Sequence, residues 1–313
     1  MLGVLLGFAT ISLVIAVGWL LAHLRVVDLQ AQRVLSLVAF YVCSPALLLT
    51  VLQRTPLSQV LSRNLVGSAT AVVLTMALAV LVARVRSPGR RLGDRLIGAL
   101  CAAYVNAGNL GIPIALYVLG DVAWVAPTLL LQLLVITPLV MVLFDRDAAA
   151  RPPSLLRGIA SLGTNPISLG ALLGLILAVA HVTLPAVVAD PVRMLGDMAV
   201  PAMLMAFGIS LRLGPKPAAG GSLGDVAWLV GLKTVGMPVV AALAGMLALG
   251  MRGRELFALV VTAALPTAQN IFTYAVRYDR SIPLARDVIF FSTFASLPVI
   301  LLIAAGFHAL GAA

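Results

Sequence analysis

Ten stretches of about 20 residues each run through this chain almost without charge, and they constrain its fold more than any other feature. A helix of that length crosses a hydrocarbon core about 30 Å thick while satisfying every backbone polar group within the segment. The stretches lie near 2–22, 34–53, 64–85, 95–119, 121–144, 165–184, 190–213, 223–250, 254–278 and 284–306. They predict an all-α polytopic membrane protein with ten transmembrane helices, surrounded by the lipid bilayer. Only 10% of the 313 residues are charged and 62% are hydrophobic, with a mean hydropathy of +1.12. A water-facing surface needs about 25% charged residues. The same balance excludes a disordered chain, a coiled coil and a disulfide-stapled secreted module. Cys43 and Cys101 sit in apolar runs without CxxC or Cys/His spacing, so neither structural zinc nor a cofactor is expected. The first stretch reads as a span rather than a signal peptide. No basic residue precedes it, Arg25 follows it, and it exceeds an apolar core of about 7–15 residues.

The net charge of +10 comes from 21 basic residues against 11 acidic ones, and the basic residues lie between apolar runs rather than along one stripe. That distribution argues against nucleic acid and for the excess of basic loops on the cytoplasmic side of a membrane. The loops after spans one, three, five, seven and nine hold 15 Lys and Arg, the opposite side holds 5, and Lys233 lies within span eight. Both termini are therefore expected outside the cytoplasm. The densest cluster, Arg84, Arg86, Arg90, Arg91 and Arg95, follows span three and suits an anionic leaflet. Arginine in excess of lysine, with abundant alanine, suggests a GC-rich bacterial genome and hence the bacterial inner (plasma) membrane.

Several marks recur at about half the chain length. Pro45 in span two matches Pro201 in span seven at 156 residues, Pro113 matches Pro266 at 153, and Pro138 matches Pro298 at 160. Gly3-x-x-x-Gly7 recurs as Gly170-x-x-x-Gly174. Five spans per repeat is an odd number, so the second repeat enters the membrane from the other side. The reading is two inverted five-helix repeats, 1–145 and 164–313. A connector at 146–163 joins them, cytoplasmic, with a short interfacial helix. Inverted repeats are a hallmark of secondary transporters, which hold substrate near the midplane between them.

Spans four and nine carry the polar chemistry. Span four contains Asn106, Asn109, Gly111 and Pro113, and span nine contains Pro266, Gln269 and Asn270. Proline removes a backbone donor and glycine weakens helical preference, so both read as broken helices. Irregular backbone at membrane depth survives only where protein or a wet cavity satisfies it. A broken helix presents the N-terminus of its second half, with free N–H groups and partial positive charge. Two such termini plus neutral amide donors suit a small organic anion that must bind and leave again. Each amide also has the plainer role of hydrogen-bonding between helices. Lys233 lies deep in span eight, where it either neutralises an anionic substrate, or snorkels or bonds a backbone carbonyl. Gln132 and Ser44 are auxiliary pocket candidates or packing residues. Asp197 and Asp287 lie near span ends, where capping or interfacial solvation accounts for them.

The segments NAGNLGIP (106–113), TNPISLGALLGL (164–175), VPAMLMAFGISL (200–211), GLKTVGMP (231–238) and LPTAQNIFTYA (265–275) resemble the auxin efflux carrier family, including its bacterial malonate or organic-acid type members. The resemblance implies a scaffold of spans one, two, six and seven. It also implies a transport domain of spans three to five and eight to ten, with broken spans four and nine crossing at their prolines. It places Asn106, Pro113, Pro266 and Asn270 at that crossing. The substrate it implies is a carboxylate such as malonate or an auxin-like acid, moved by an alternating-access, elevator-like mechanism. The chain lacks the long cytoplasmic loop of many plant members and an acidic residue in span three. The particular anion, a proton or sodium as coupling ion, and a homodimer all stay open. The alternatives are an anion channel, which needs a continuous polar stripe, and a sodium-coupled bile-acid-type symporter. An enzyme is not expected, since His23, His181 and His308 lie at span ends and no HExxH, GxSxG or P-loop occurs.

Overall fold

The structure is a computed structural model that describes residues 2–54, 62–147, 166–214 and 222–311. Among these residues every regular element is helical and no strand occurs; one isolated bridge joins Val105 to Thr267. The helices are α1 (Leu2–His23), α2 (Leu29–Arg54), α3 (Arg63–Arg86), α4 (Leu92–Ala103), α5 (107–119) and α6 (126–147). They continue as α7 (Pro166–Val179), α8 (Ala186–Leu213), α9 (Leu223–Ala248), α10 (Gly253–Ala264), α11 (Asn270–Tyr278) and α12 (Ile282–Ala309). Six of them, α2, α3, α6, α8, α9 and α12, are long and apolar enough to cross a membrane. Large apolar side chains such as Leu247 and Leu302 face outward, 80% and 71% exposed. That is the arrangement hydrocarbon solvates and water does not. The connector expected at 146–163 lies, beyond Arg146 and Asp147 at the end of α6, outside the described residues.

Four of the prolines within helices have the same local effect. Widened π turns at Ala39–Cys43, Ala107–Gly111, Leu131–Ile136 and Leu232–Gly236 each end two residues before a proline, namely Pro45, Pro113, Pro138 and Pro238. A proline ring clashes with the carbonyl one turn back and offers no N–H, and one wide turn absorbs both defects without ending the helix.

Two close helix crossings build one side of the molecule. In α1 against the second half of α8, a Cβ on Gly208 would lie 2.0 Å from the Ile15 carbonyl oxygen. In α7 against the second half of α2, a Cβ on Gly170 would lie 2.4 Å from the Pro45 oxygen. Only glycine lets the backbones approach this far. The other side packs α3 on α4 and on α6, α9 on α10 and on α12, and α3 on the second half of α9. Small polar contacts tie these helices together, including Ser68 Oγ to Thr128 Oγ1 at 2.7 Å between α3 and α6.

Candidate functional site

Two chain breaks meet in the protein interior. α4 ends at Ala103, and Tyr104 turns extended at φ −86°, ψ 104°. α10 ends at Ala264, and Leu265 adopts φ −56°, ψ 146°. The second break has a local cause, because a residue before proline is pushed out of the α region and Pro266 follows Leu265. The first has no proline of its own. Pro113 lies well inside α5, buried, seven residues beyond Asn106. Pro266 therefore sits at its break, whereas Pro113 follows the wide turn that carries Gly111.

The breaks satisfy one another. Asn106 N–H donates to the Pro266 carbonyl at 2.8 Å, and Ala268 N–H donates to the Tyr104 carbonyl at 3.0 Å. The remaining polar groups find side chains. Gln132, on α6, accepts from Val105 N–H at 2.7 Å and donates to the Val105 carbonyl at 2.9 Å. Ser292, on α12, accepts from Thr267 N–H at 3.1 Å. The Thr267 hydroxyl donates to the Cys101 carbonyl at 2.6 Å, and Lys233 Nζ donates to the Ala263 carbonyl at 2.7 Å. Val105, Thr267 and Lys233 are all fully buried. Backbone broken at this depth would otherwise leave each orphaned group at a cost of about 1–3 kcal/mol.

Asn106, 4% exposed, sits directly before α5, and Gln269 and Asn270 stand half-buried at the start of α11. Asn270 Nδ2 donates to the Tyr274 hydroxyl at 3.3 Å, and Tyr104 OH pairs with Thr137 Oγ1 at 2.9 Å. Gly111 lies in the crossing because a Cβ there would stand 2.9 Å from Leu265 Cδ1. Asn109 is located by its backbone, within the wide turn of α5. Ser44 is half-buried in α2, in the wall formed with α7. Asp287 departs from expectation. It lies in the second turn of α12, too deep for a cap, with its carboxylate 1% exposed and bonded to Arg286 Nε at 2.7 Å. Tyr104, Thr137, Thr267, Ser292 and Tyr274 were missed by sequence reasoning. The offset of 160 between Pro138 and Pro298 carries Gln132 onto Ser292, and that was the available signal.

Several amides in the first turns of α5 and α11 bond carbonyls just ahead of them, Ala107 to Val105 at 2.8 Å, Ile271 to Ala268 at 3.2 Å and Phe272 to Gln269 at 3.1 Å. Those ends carry partial positive charge and are suited to an anion. At the far end of α11, Arg280 Nε donates to Asp147 at 2.8 Å and Ser281 Oγ to Asp94 at 2.8 Å, which ties the turn before α12 to α6 and α4. The bond to Asp147 holds the Arg280 guanidinium above its ordinary pKa.

A multi-pass helical protein whose interior is organised around two mutually satisfied helix breaks is a membrane transport protein in its architecture. The chain belongs to the membrane transport protein family that comprises the auxin efflux carriers, whose family model, described as "Membrane transport protein", matches residues 4–304. It is similar to auxin efflux carrier component 3a of Oryza sativa subsp. japonica, 29% identical over 142 residues, 44% of this chain and 23% of the rice protein. It is also similar to auxin efflux carrier component 3 of Arabidopsis thaliana, 30% identical over 142 residues, 44% of this chain and 22% of that protein. Component 6 of the same plant is 27% identical over 145 residues, 45% of this chain and 25% of its own length. The matched stretch thus spans a quarter or less of each of these relatives.

Proposed function

We propose that this protein is a secondary carrier of small organic anions, working by alternating access in an elevator-like manner with substrate held where broken spans four and nine cross. The observation that carries the reading is the pair of reciprocal backbone bonds between Tyr104–Asn106 and Pro266–Ala268. They bring two positive helix ends, α5 and α11, to one locus. Asn106, Asn109, Gly111, Gln269 and Asn270 are the proposed ligands or close walls, with Pro266 fixing the break. The relatives are auxin efflux carrier components, and auxin is itself a carboxylate, which supports an organic acid as cargo here.

The inverted repeat, 1–145 and 164–313, draws support from packing. The crossing of α1 with α8 has its counterpart in that of α7 with α2. The contacts of α3 with α4 and α6 have counterparts in those of α9 with α10 and α12. Gln132 on Val105 likewise answers Ser292 on Thr267. Such pairing follows when five spans are repeated in opposite orientation. The glycine-packed unit of α1, α2, α7 and α8 would serve as scaffold, and the rest as the moving body. The basic loop count favours both termini on the non-cytoplasmic side of a bacterial inner membrane.

Counterflow into proteoliposomes tests the reading. A carrier preloaded with malonate accumulates labelled malonate transiently and saturably; a panel of mono- and dicarboxylates with indole-3-acetate extends it. Linear, unsaturable flux across that panel would mark a channel instead.

A further inference from the structure

The two first half-helices, α4 and α10, end at the crossing with their carbonyls pointing inward. Each C-terminus carries about −0.5 elementary charge in addition to its orphaned oxygens. In an unbroken helix the Cys101 carbonyl would accept from Val105 N–H, and the Ala263 carbonyl from Thr267 N–H. Both amides are diverted, to Gln132 and to Ser292. The vacated carbonyls occupy matching places but receive different donors. Cys101 receives a neutral hydroxyl from Thr267, whereas Ala263 receives Lys233 Nζ at 2.7 Å, with Met237 Sδ at 3.3 Å as the amine's second neighbour. Lys233 is 0% exposed.

An anion in the crossing is drawn toward the opposite, N-terminal ends of α5 and α11, away from these carbonyls. A cation is what the C-terminal ends attract. Resting on the reading of the chain as a carrier, we propose that Lys233 is a built-in cation. Its ammonium form sits on the C-terminal carbonyl of α10 in place of a diffusible metal cation, so that the crossing holds together without sodium. Lys233 is then a positioning residue. It acts through the end of α10 on Pro266, whose carbonyl receives the Asn106 amide, and it does not touch substrate. The Thr267 hydroxyl does the corresponding work for α4 without charge, and Lys233 supplies the one charge, at the end of α10.

The test uses the purified full chain in detergent and needs no substrate. Unfolding temperature is measured for the wild type and Lys233→Ala in sodium, potassium and choline chloride at equal ionic strength. Lys233→Ala is measured again with propylammonium chloride, which restores the missing stem and charge, and with propan-1-ol, which restores the stem with a neutral hydroxyl. The wild type is expected to unfold at one temperature in all three salts. Lys233→Ala is expected to unfold several degrees lower and to recover with propylammonium but not with propanol. A sodium-specific rise in the wild type overturns the proposal, and so does recovery by propanol as full as by the amine, or recovery by neither. Should Lys233→Ala fail to fold, Lys233→Met keeps the volume and carries the salt comparison. Stabilisation of that variant by sodium or potassium over choline supports the built-in cation, and indifference to the salt counts against it. Counterflow by the wild type stands apart from these readouts, so a protein that moves no anion refutes the carrier and leaves the charge of the crossing decided.

Discussion

Replacing Gln132 by methionine keeps the length of the side chain and removes both polar ends, so it isolates the two bonds to Val105 at 2.7 and 2.9 Å. Val105 is 0% exposed and Gln132 is 1% exposed, so no water replaces them without rearrangement. A buried donor or acceptor left without its partner costs about 1–3 kcal/mol. Measured bonds between membrane helices average less, about 0.6 kcal/mol, because the unfolded chain in a membrane also finds partners. Two lost bonds at a fully dry position place the expected loss at about 2–4 kcal/mol, between those limits. Ser292→Ala removes the single acceptor of Thr267 N–H and is expected to cost about half as much, roughly 1–2 kcal/mol. The assay is reversible unfolding in mixed micelles titrated with a denaturing detergent, with both variants compared at the same slope. Should Gln132→Met lose no more stability than Ser292→Ala, Gln132 is not clamping the break and the account of how span four opens is wrong.

A C-terminal alkaline phosphatase fusion is expected to be active and a fluorescent-protein fusion dark; the reverse pattern in a bacterial host overturns the assignment of sides. Asn106→Ala and Asn270→Ala are each expected to abolish or strongly reduce counterflow while membrane insertion and unfolding temperature stay near wild type, and wild-type rates in both would remove the amides from the site. Gly208→Ala puts a Cβ 2.0 Å from the Ile15 oxygen and must push α1 off α8, with a loss on the order of 1–3 kcal/mol in the same unfolding assay.

Much of the architecture could be read from periodic apolar runs, because a membrane demands one helix length and punishes charge within it. Six described helices, α2, α3, α6, α8, α9 and α12, are long and apolar enough to cross a membrane and fall on expected spans two, three, five, seven, eight and ten. The break in span nine was legible because Pro266 enforces it through Leu265. The break in span four was expected within the stretch around Asn106, Asn109, Gly111 and Pro113, and the chain opens at its start, at Tyr104–Asn106, where Gln132 and the facing span nine hold it. A break fixed by tertiary partners leaves no mark in its own segment. The partner of Lys233 was equally hidden, since depth in a span says that a polar partner exists and not which one; in the structure it is the Ala263 carbonyl, at 2.7 Å.

The reciprocal bonding of the two breaks also bears on how the protein is made. Thr267 and the Cys101 carbonyl it reaches are separated by 166 residues. At a synthesis rate of about 5–20 residues per second, span four waits roughly 8–30 s in or beside the membrane before the segment that completes it leaves the ribosome. During that interval Gln132, only 27 residues from Val105, is the partner that can arrive early. Gln132 can thus hold Val105 while Tyr104 and Asn106 wait for span nine, and it keeps both bonds in the finished fold.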